Sequence, residues 1–206
     1  MSDIVIGTGA EAVIYRTSWL GRKAVKKHRL EKGYRHKELD QRLRAYRTKK
    51  EVNLISAARN AGICTPLVYD VDLQEGTITM QFVDGTMLKD LLRTEPMEKK
   101  EELVRKMAQA IASMHRADLV HGDLTTSNMI LKGTGIWFID FSLGNGSEEV
   151  EDKGVDLHLL KEVWQSSHAE ILPLFDLFLE TYKAHYDDGV QVVERIAEIE
   201  ARGRYT

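Results

Sequence analysis

The sequence predicts an α+β protein of two lobes: an antiparallel β-rich N-terminal lobe over residues 1–83 with one long helix, and a mainly helical C-terminal lobe over 84–206. Three observations predict it. The first thirty residues are short β-prone runs separated by glycine turns, which pair with their neighbours without crossover helices. One long helical pattern follows, over about residues 36–60. Beyond Asp84-Gly85, most of the chain carries apolar residues at helical spacing.

Taken in order, Val5 leads into a turn at Gly7-Thr8-Gly9, Val13-Ile14-Tyr15 resumes as a strand, and Gly21 separates it from a third strand around 23–28. The helix carries Leu39, Leu43 and Tyr46, then Leu54, Ile55 and Ala58. Gly62 ends it, with Pro66 beyond. Strands at 67–73 and 77–83 are joined by Gln74-Glu75-Gly76. In the second lobe Leu103, Met107, Ile111 and Met114 mark one face of a helix over about 97–116. A loop over 121–128 precedes a hairpin of residues 129–131 and 136–140 that turns at Gly133-Thr134-Gly135. The apolar stretch 171–179, cut by Pro173 and Asp176, reads as a buried core helix too short to span a membrane.

With 206 residues and 43% hydrophobic content the chain buries one core, or one split across two lobes. A net charge of −3 excludes a globally basic nucleic-acid binder. Locally the balance differs, because residues 22–50 hold thirteen Lys/Arg against Glu31, Glu38 and Asp40. Such a stretch is a solvated face, or pairs with acids such as Glu148, Glu149 and Glu151 of the other lobe, or faces a polyanion. Cys64 is the single cysteine, which excludes disulfides and cysteine metal sites and suits a reducing interior. Met1-Ser2-Asp3 followed by Ile4-Val5-Ile6 lacks the basic start and long apolar run of a secretory leader, so a cytoplasmic setting without a membrane is expected.

His121-Gly122-Asp123-Leu124-Thr125-Thr126-Ser127-Asn128 is the strongest chemical signal. In phosphoryl transfer by kinases an Asp on such a loop accepts the proton of the attacking hydroxyl, and an Asn five residues later binds Mg²⁺. Asp123 and Asn128 have that spacing. The hairpin then delivers Asp140 in Ile139-Asp140-Phe141-Ser142-Leu143, seventeen residues after Asp123, as a second Mg²⁺ ligand. Gly7, Gly9, Ala10, Glu11 and Ala12 sit between strands, where backbone N–H groups can approach ATP oxygens. A dinucleotide fold would need a helix after that loop, and here a strand follows.

A strand lysine must also meet the α/β-phosphates while pairing with a helix glutamate. Lys26 and Lys27 compete for this role. Alternation places Val25 and Lys27 on one face and Lys26 on the other, so Lys27 is expected to act, with Val25 against the adenine. Glu51 is its expected partner, one turn before the Leu54/Ile55/Ala58 face. Met80, Gln81 and Val83 fall at the interlobe hinge, Met80 at the back of the pocket and the backbone of Gln81 and Val83 toward the adenine edge. The expected fold is thus a minimal two-lobed protein-kinase-like one.

These residues resemble the small atypical kinase subunit of the KEOPS complex. The likeness is carried by Gly9-Ala10-Glu11-Ala12, Lys27-His28-Arg29, Lys32-Gly33-Tyr34-Arg35-His36, Leu39-Asp40, Arg47-Thr48 ahead of Glu51, His121 through Asn128, and Asp152-Lys153-Gly154-Val155-Asp156-Leu157. The resemblance implies ATP and Mg²⁺ as cofactors, ATP hydrolysis with serine/threonine autophosphorylation, and support of threonylcarbamoyl-adenosine formation on tRNA. It implies as partners the tRNA-modifying catalytic subunit and a small regulatory subunit. It also suggests tRNA on the 22–50 stretch, through Lys32, Arg35, Arg42, Arg44 and Lys49 with Tyr34 stacking. The family's basic tail is represented by Arg202-Gly203-Arg204 before Tyr205-Thr206.

Departures from ordinary protein kinases narrow the chemistry. Gly122 replaces the arginine that reads a phosphorylated activation loop, Thr125 replaces a lysine, and Ser142 replaces the glycine of Asp-Phe-Gly. Fifteen residues between Asp140 and Asp156 leave no peptide platform. The competing readings are a small-molecule phosphotransferase of the aminoglycoside or choline type and a silent nucleotide-binding scaffold. The first needs a larger helical substrate subdomain than the 66 residues after Asp140 supply.

Overall fold

The computed structural model describes residues 3–203. Strands β1 (Ile4–Thr8), β2 (Ala12–Trp19) and β3 (Arg22–Arg29), helix α1 (Lys37–Asn60), and strands β4 (Val68–Asp72) and β5 (Thr77–Gln81) form the first lobe. Its five strands make one antiparallel sheet in the order β1-β2-β3-β5-β4. Hairpins join β1 to β2, β2 to β3 and β4 to β5, and α1 lies in the connection between β3 and β4. The β2–β3 turn is Leu20-Gly21, with φ of 46° and 80°, the left-handed pair that matches strand twist in a two-residue loop.

The second lobe opens with β6 (Thr86–Met87), α2 (Leu88–Thr94), α3 (Met97–Arg116) and β7 (Leu119–Val120). A 3-10 turn (Thr126–Asn128), β8 (Met129–Lys132), β9 (Gly135–Phe138) and β10 (Asn145–Gly146) follow. Helices α4 (Val150–Ser167), α5 (Leu174–His185) and α6 (Gly189–Gly203) complete it. Helix α3 buries Leu103, Val104, Met107, Ala108 and Ile111 at 1% exposure or less, against α5, where Phe178 and Tyr182 are fully buried. Side chains of that size contribute about 1.5–3 kcal/mol each by leaving water. Helix α4 packs against α6, and Trp164, on the buried side of α4, meets Phe175 edge to face with ring centroids 5.6 Å apart.

The fold is the α+β, two-lobed one that the sequence predicts, with local differences. Gly7 and Thr8 belong to β1, paired with Ile14 and Val13, so the turn is residues 9–11. A bulge between Val5 and Gly7 lets that pairing continue. The 171–179 stretch is not one helix: Ile171 closes a short 3-10 turn, Leu172 is 44% exposed, and α5 begins after Pro173. Proline fixes a helix start there because it has no N–H to donate. No helix among the described residues is long and apolar enough to cross a membrane. Arg204, Tyr205 and Thr206 of the expected basic tail lie outside the described residues.

Helix α1 departs most from its apolar pattern. Its first half buries Asp40, Arg44 and Thr48 and exposes Leu39 (53%) and Tyr46 (65%). The inward face meets an ion-pair network, and only from Leu54 onward does α1 meet apolar core. Arg44, expected on a polyanion-facing surface, is 7% exposed. It bonds Asp40 (2.9 Å), Glu31 (3.1 Å) and the carbonyl of Glu75 (3.0 Å). A buried guanidinium needs all its donors met, and these partners spend them inside the lobe. The stretch does pair with acids, but with these local ones. Glu151 is instead held by Arg195 and Arg202.

Candidate active site

Lys27 points into the cleft from β3. It is 4% exposed and gives its ammonium to Glu51 Oε1 (2.8 Å), Asp140 Oδ1 (2.6 Å) and Ser142 Oγ (2.6 Å). Its neighbour Lys26 faces the other side of the sheet, bound to Asp3 (3.1 Å) near the ring of Tyr15. Period-two alternation separates them. Glu51, with a fully buried side chain, also receives Arg29 Nη2 on Oε2 at 2.5 Å. This single carboxylate therefore holds one cation on each oxygen.

Asp140 adopts φ 63°, a left-handed conformation that Asp accepts better than most side chains. Its carboxylate receives Lys27 and the Ser142 hydroxyl, the latter at 2.5 Å. Burial pushes this group up, but the charge of Lys27 and hydrogen bonds from Lys27 and Ser142 outweigh it and hold the carboxyl at about 2. It is ionised at any working pH.

The loop bearing Asp123 is fixed from beneath by Asp156. This buried carboxylate, 1% exposed, accepts the N–H of His121 (2.5 Å) and of Gly122 (2.7 Å). Gly122 has φ 75°, and a Cβ there would stand 2.3 Å from the carbonyl oxygen of Leu143. No side chain, an arginine's included, fits on this backbone. His121 packs against Phe141 (4.8 Å) and bonds the Ile139 carbonyl (3.0 Å). Thr126, fully buried, shares a 2.9 Å hydrogen bond with His168. Burial lowers His168, so a neutral imidazole holds the turn that carries Asn128. The Asn128 amide donates to the carbonyl and to Oδ2 of Asp123, both at 2.9 Å.

Between the lobes lies a cavity of about 390 Å³. Gly7, Val25, Lys27, Glu51, Met80, Gln81, Val83, Asn128 and Asp140 all line it. Ile14, Ile130 and Ile139 add apolar wall. Gly9, Ala10, Glu11, Ala12 and Asp123 are not among its lining residues; Asp123 is exposed and joined to the cavity through Asn128. Glu11 is turned to Arg47, and the Ala10 carbonyl receives Lys32. Val83, 7% exposed, brings its backbone to the cavity wall just beyond β5. No cluster of three His, Cys, Asp or Glu suited to a metal occurs among the described residues. Asn128 Oδ1 and Asp140 offer two oxygen donors, which fits an ion that arrives with phosphate and water as its other ligands.

Sequence reasoning left three supporting residues without a role. Arg29 and Asp156 appeared only inside motifs, and His168 carried no signal, because the bond it makes joins residues 42 positions apart.

Residues 10–144 match the RIO domain family. The chain is 43% identical over 203 residues to a probable bifunctional tRNA threonylcarbamoyladenosine biosynthesis protein of Methanothermobacter thermautotrophicus, covering 98% of this chain and 36% of that protein. It therefore spans about a third of that relative. It is 39% identical to the KEOPS complex subunit Bud32 of Pyrococcus abyssi, over 98% of this chain and 96% of that one. It is 38% identical to the EKC/KEOPS complex subunit Tp53rkb of Mus musculus, over 97% and 86%.

Proposed function

The chain belongs to the RIO domain family, and from that premise we propose that it is an ATP-dependent phosphotransferase and ATPase working in a KEOPS-type assembly that supports threonylcarbamoyl-adenosine formation on tRNA. The observation that carries the proposal is the convergence of Lys27, Glu51, Asn128 and Asp140 on one interlobe cavity. ATP would lie with its adenine edge toward the Val83 N–H and the Gln81 backbone, between Val25 and Met80. Lys27 neutralises its phosphates. Asn128 and Asp140 would hold Mg²⁺, which supplies further charge neutralisation. Asp123, exposed and oriented by Asn128, takes the proton of an attacking water or of a serine or threonine hydroxyl. The two lobes divide near residue 83, at the end of the strand that contacts the adenine.

The lysines give a first test. Lys27→Ala is expected to lower ATP turnover by about 10²–10³-fold, the scale of losing one fixed charge at the reacting phosphate. Lys26→Ala is expected to stay within about twofold, because its ammonium lies on the far face of β3. A reversed outcome would remove Lys27 from the site.

Partners in this reading are the tRNA-modifying catalytic subunit, a small regulatory subunit and tRNA, in the cytoplasm. The tRNA surface is the outer face of α1 and differs from the one expected from sequence. Arg44 is buried, Lys32 is engaged with Ala10, and Arg35 with Asp40 and the Tyr34 ring. Arg42 and Lys49 remain exposed and make no ion pair among the described residues, with Tyr46 between them. Arg42→Glu combined with Lys49→Glu is expected to weaken tRNA binding and flatten its salt dependence, since every phosphate left without its cation removes about one counterion from the slope. Basal ATP hydrolysis should hold. Unchanged tRNA affinity in a filter-binding titration would return the face to solvent.

A further inference from the structure

We infer that Arg29 is a positioning residue that sets the charge of the phosphate wall, an inference that rests on the nucleotide-site reading above. Arg29 stands two residues after Lys27 on β3, hence on the same face, and is 3% exposed. It holds Glu51 Oε2 at 2.5 Å while Lys27 holds Oε1 at 2.8 Å. Its Nη2 is 3.4 Å from Ser142 Oγ and its Nη1 is 3.9 Å from Glu11 Oε2. Its main-chain N–H is pinned to the Gly76 carbonyl at 3.0 Å.

The consequence is electrostatic. A buried Lys27–Glu51 pair is neutral by itself, so a phosphate approaching Lys27 would meet a cation already compensated by the carboxylate behind it. With Arg29 sharing Glu51, the buried trio of two cations and one anion carries a net positive charge. Glu51 can keep Lys27 aligned without cancelling it. The Asp140 carboxylate, 2.6 Å from Lys27, balances that surplus; where Asp140 would instead hold Mg²⁺, the surplus would face the phosphates. Glu11 adds no charge to the balance, because Arg47 pairs with it; it ties the turn between β1 and β2 to the same cluster.

The role predicts a loss graded by ligand charge, which a packing role does not. Affinities for adenosine, AMP, ADP and ATP are measured by calorimetry at one Mg²⁺ concentration for wild type, Arg29→Met and Arg29→Lys. In Arg29→Met, adenosine is expected within about twofold of wild type and ATP weaker by about tenfold or more, with AMP and ADP between, as a unit charge acting at short range in a low-dielectric wall requires. Arg29→Lys restores the charge and should recover ATP affinity to within about threefold of wild type, with a single bond to Glu51. Arg29→Gln replaces Arg29→Met if the latter does not fold. An equal loss for all four ligands, or wild-type ATP affinity in a folded neutral variant, overturns the inference. Failure of wild type to bind adenosine or ATP would instead sink the nucleotide site itself.

Discussion

Asp140→Asn is expected to abolish Mg²⁺-dependent ATP turnover, by at least about 10²–10³-fold, while the protein keeps its fold. Asparagine is the informative substitution. Asp140 sits at φ 63°, where alanine pays about 1–2 kcal/mol of backbone strain and asparagine much less. Alanine would mix a conformational loss with a chemical one. The same variant separates a stability effect. Asp140 titrates at about 2 in the folded chain against an ordinary 3.8. A carboxyl depressed in this way contributes stability that is full above its unfolded value and lost as pH falls through its folded one. The wild-type thermal midpoint should therefore carry a component that declines between about pH 4 and pH 2, and Asp140→Asn should lack it. Wild-type turnover in Asp140→Asn would remove this carboxylate from the reaction.

Gly122→Ala is expected to cost about 3 kcal/mol or more, the sum of left-handed strain and an immovable backbone contact. The added Cβ would meet the Leu143 oxygen at 2.3 Å and its carbonyl carbon at 2.5 Å, and neither is the far end of a flexible side chain. For a chain of this size that corresponds to about 6–12 °C in thermal midpoint, with loss of turnover as Asp123 moves. Gly21→Ala supplies the control: φ is 80°, but nothing lies within 4 Å of its added Cβ. It should show the conformational cost alone, about 1–2 kcal/mol. Equal shifts in the two variants would mean that the segment at Leu143 yields.

Much of this was legible in the chain because the signals were local. Residues 97–116 form a helix at the predicted bounds because the apolar spacing that marks it also packs it on α5. The hairpin after Asn128 was readable from its glycine turn. The first half of α1 was not: its leucine and tyrosine gave helical spacing, yet they face outward. Asp40 and Arg44 face in, because Glu31, just after β3, and the Glu75 carbonyl, in the turn before β5, present partners that no helix pattern reveals.

Sequence by itself determined the order of the main strands and of the long helices α1 and α3, the family, and which residue types stand at each motif position. Spacing along one chain is enough for that, since it records the periods of helix and strand and the intervals between reacting groups. Only the tertiary structure decided which cations of the 22–50 stretch are free and which are spent. Arg44 and Arg42 are two residues apart and read alike, but a helix turns about 100° per residue. One is locked to Asp40 and Glu31, while the other stays in water. The same holds at the catalytic centre. That Glu51 carries two cations, and that Gly122 has no room for a side chain, depends on segments distant in sequence meeting within a few ångströms. Buried charge requires a partner wherever the fold brings one, and the chain order does not say where that is.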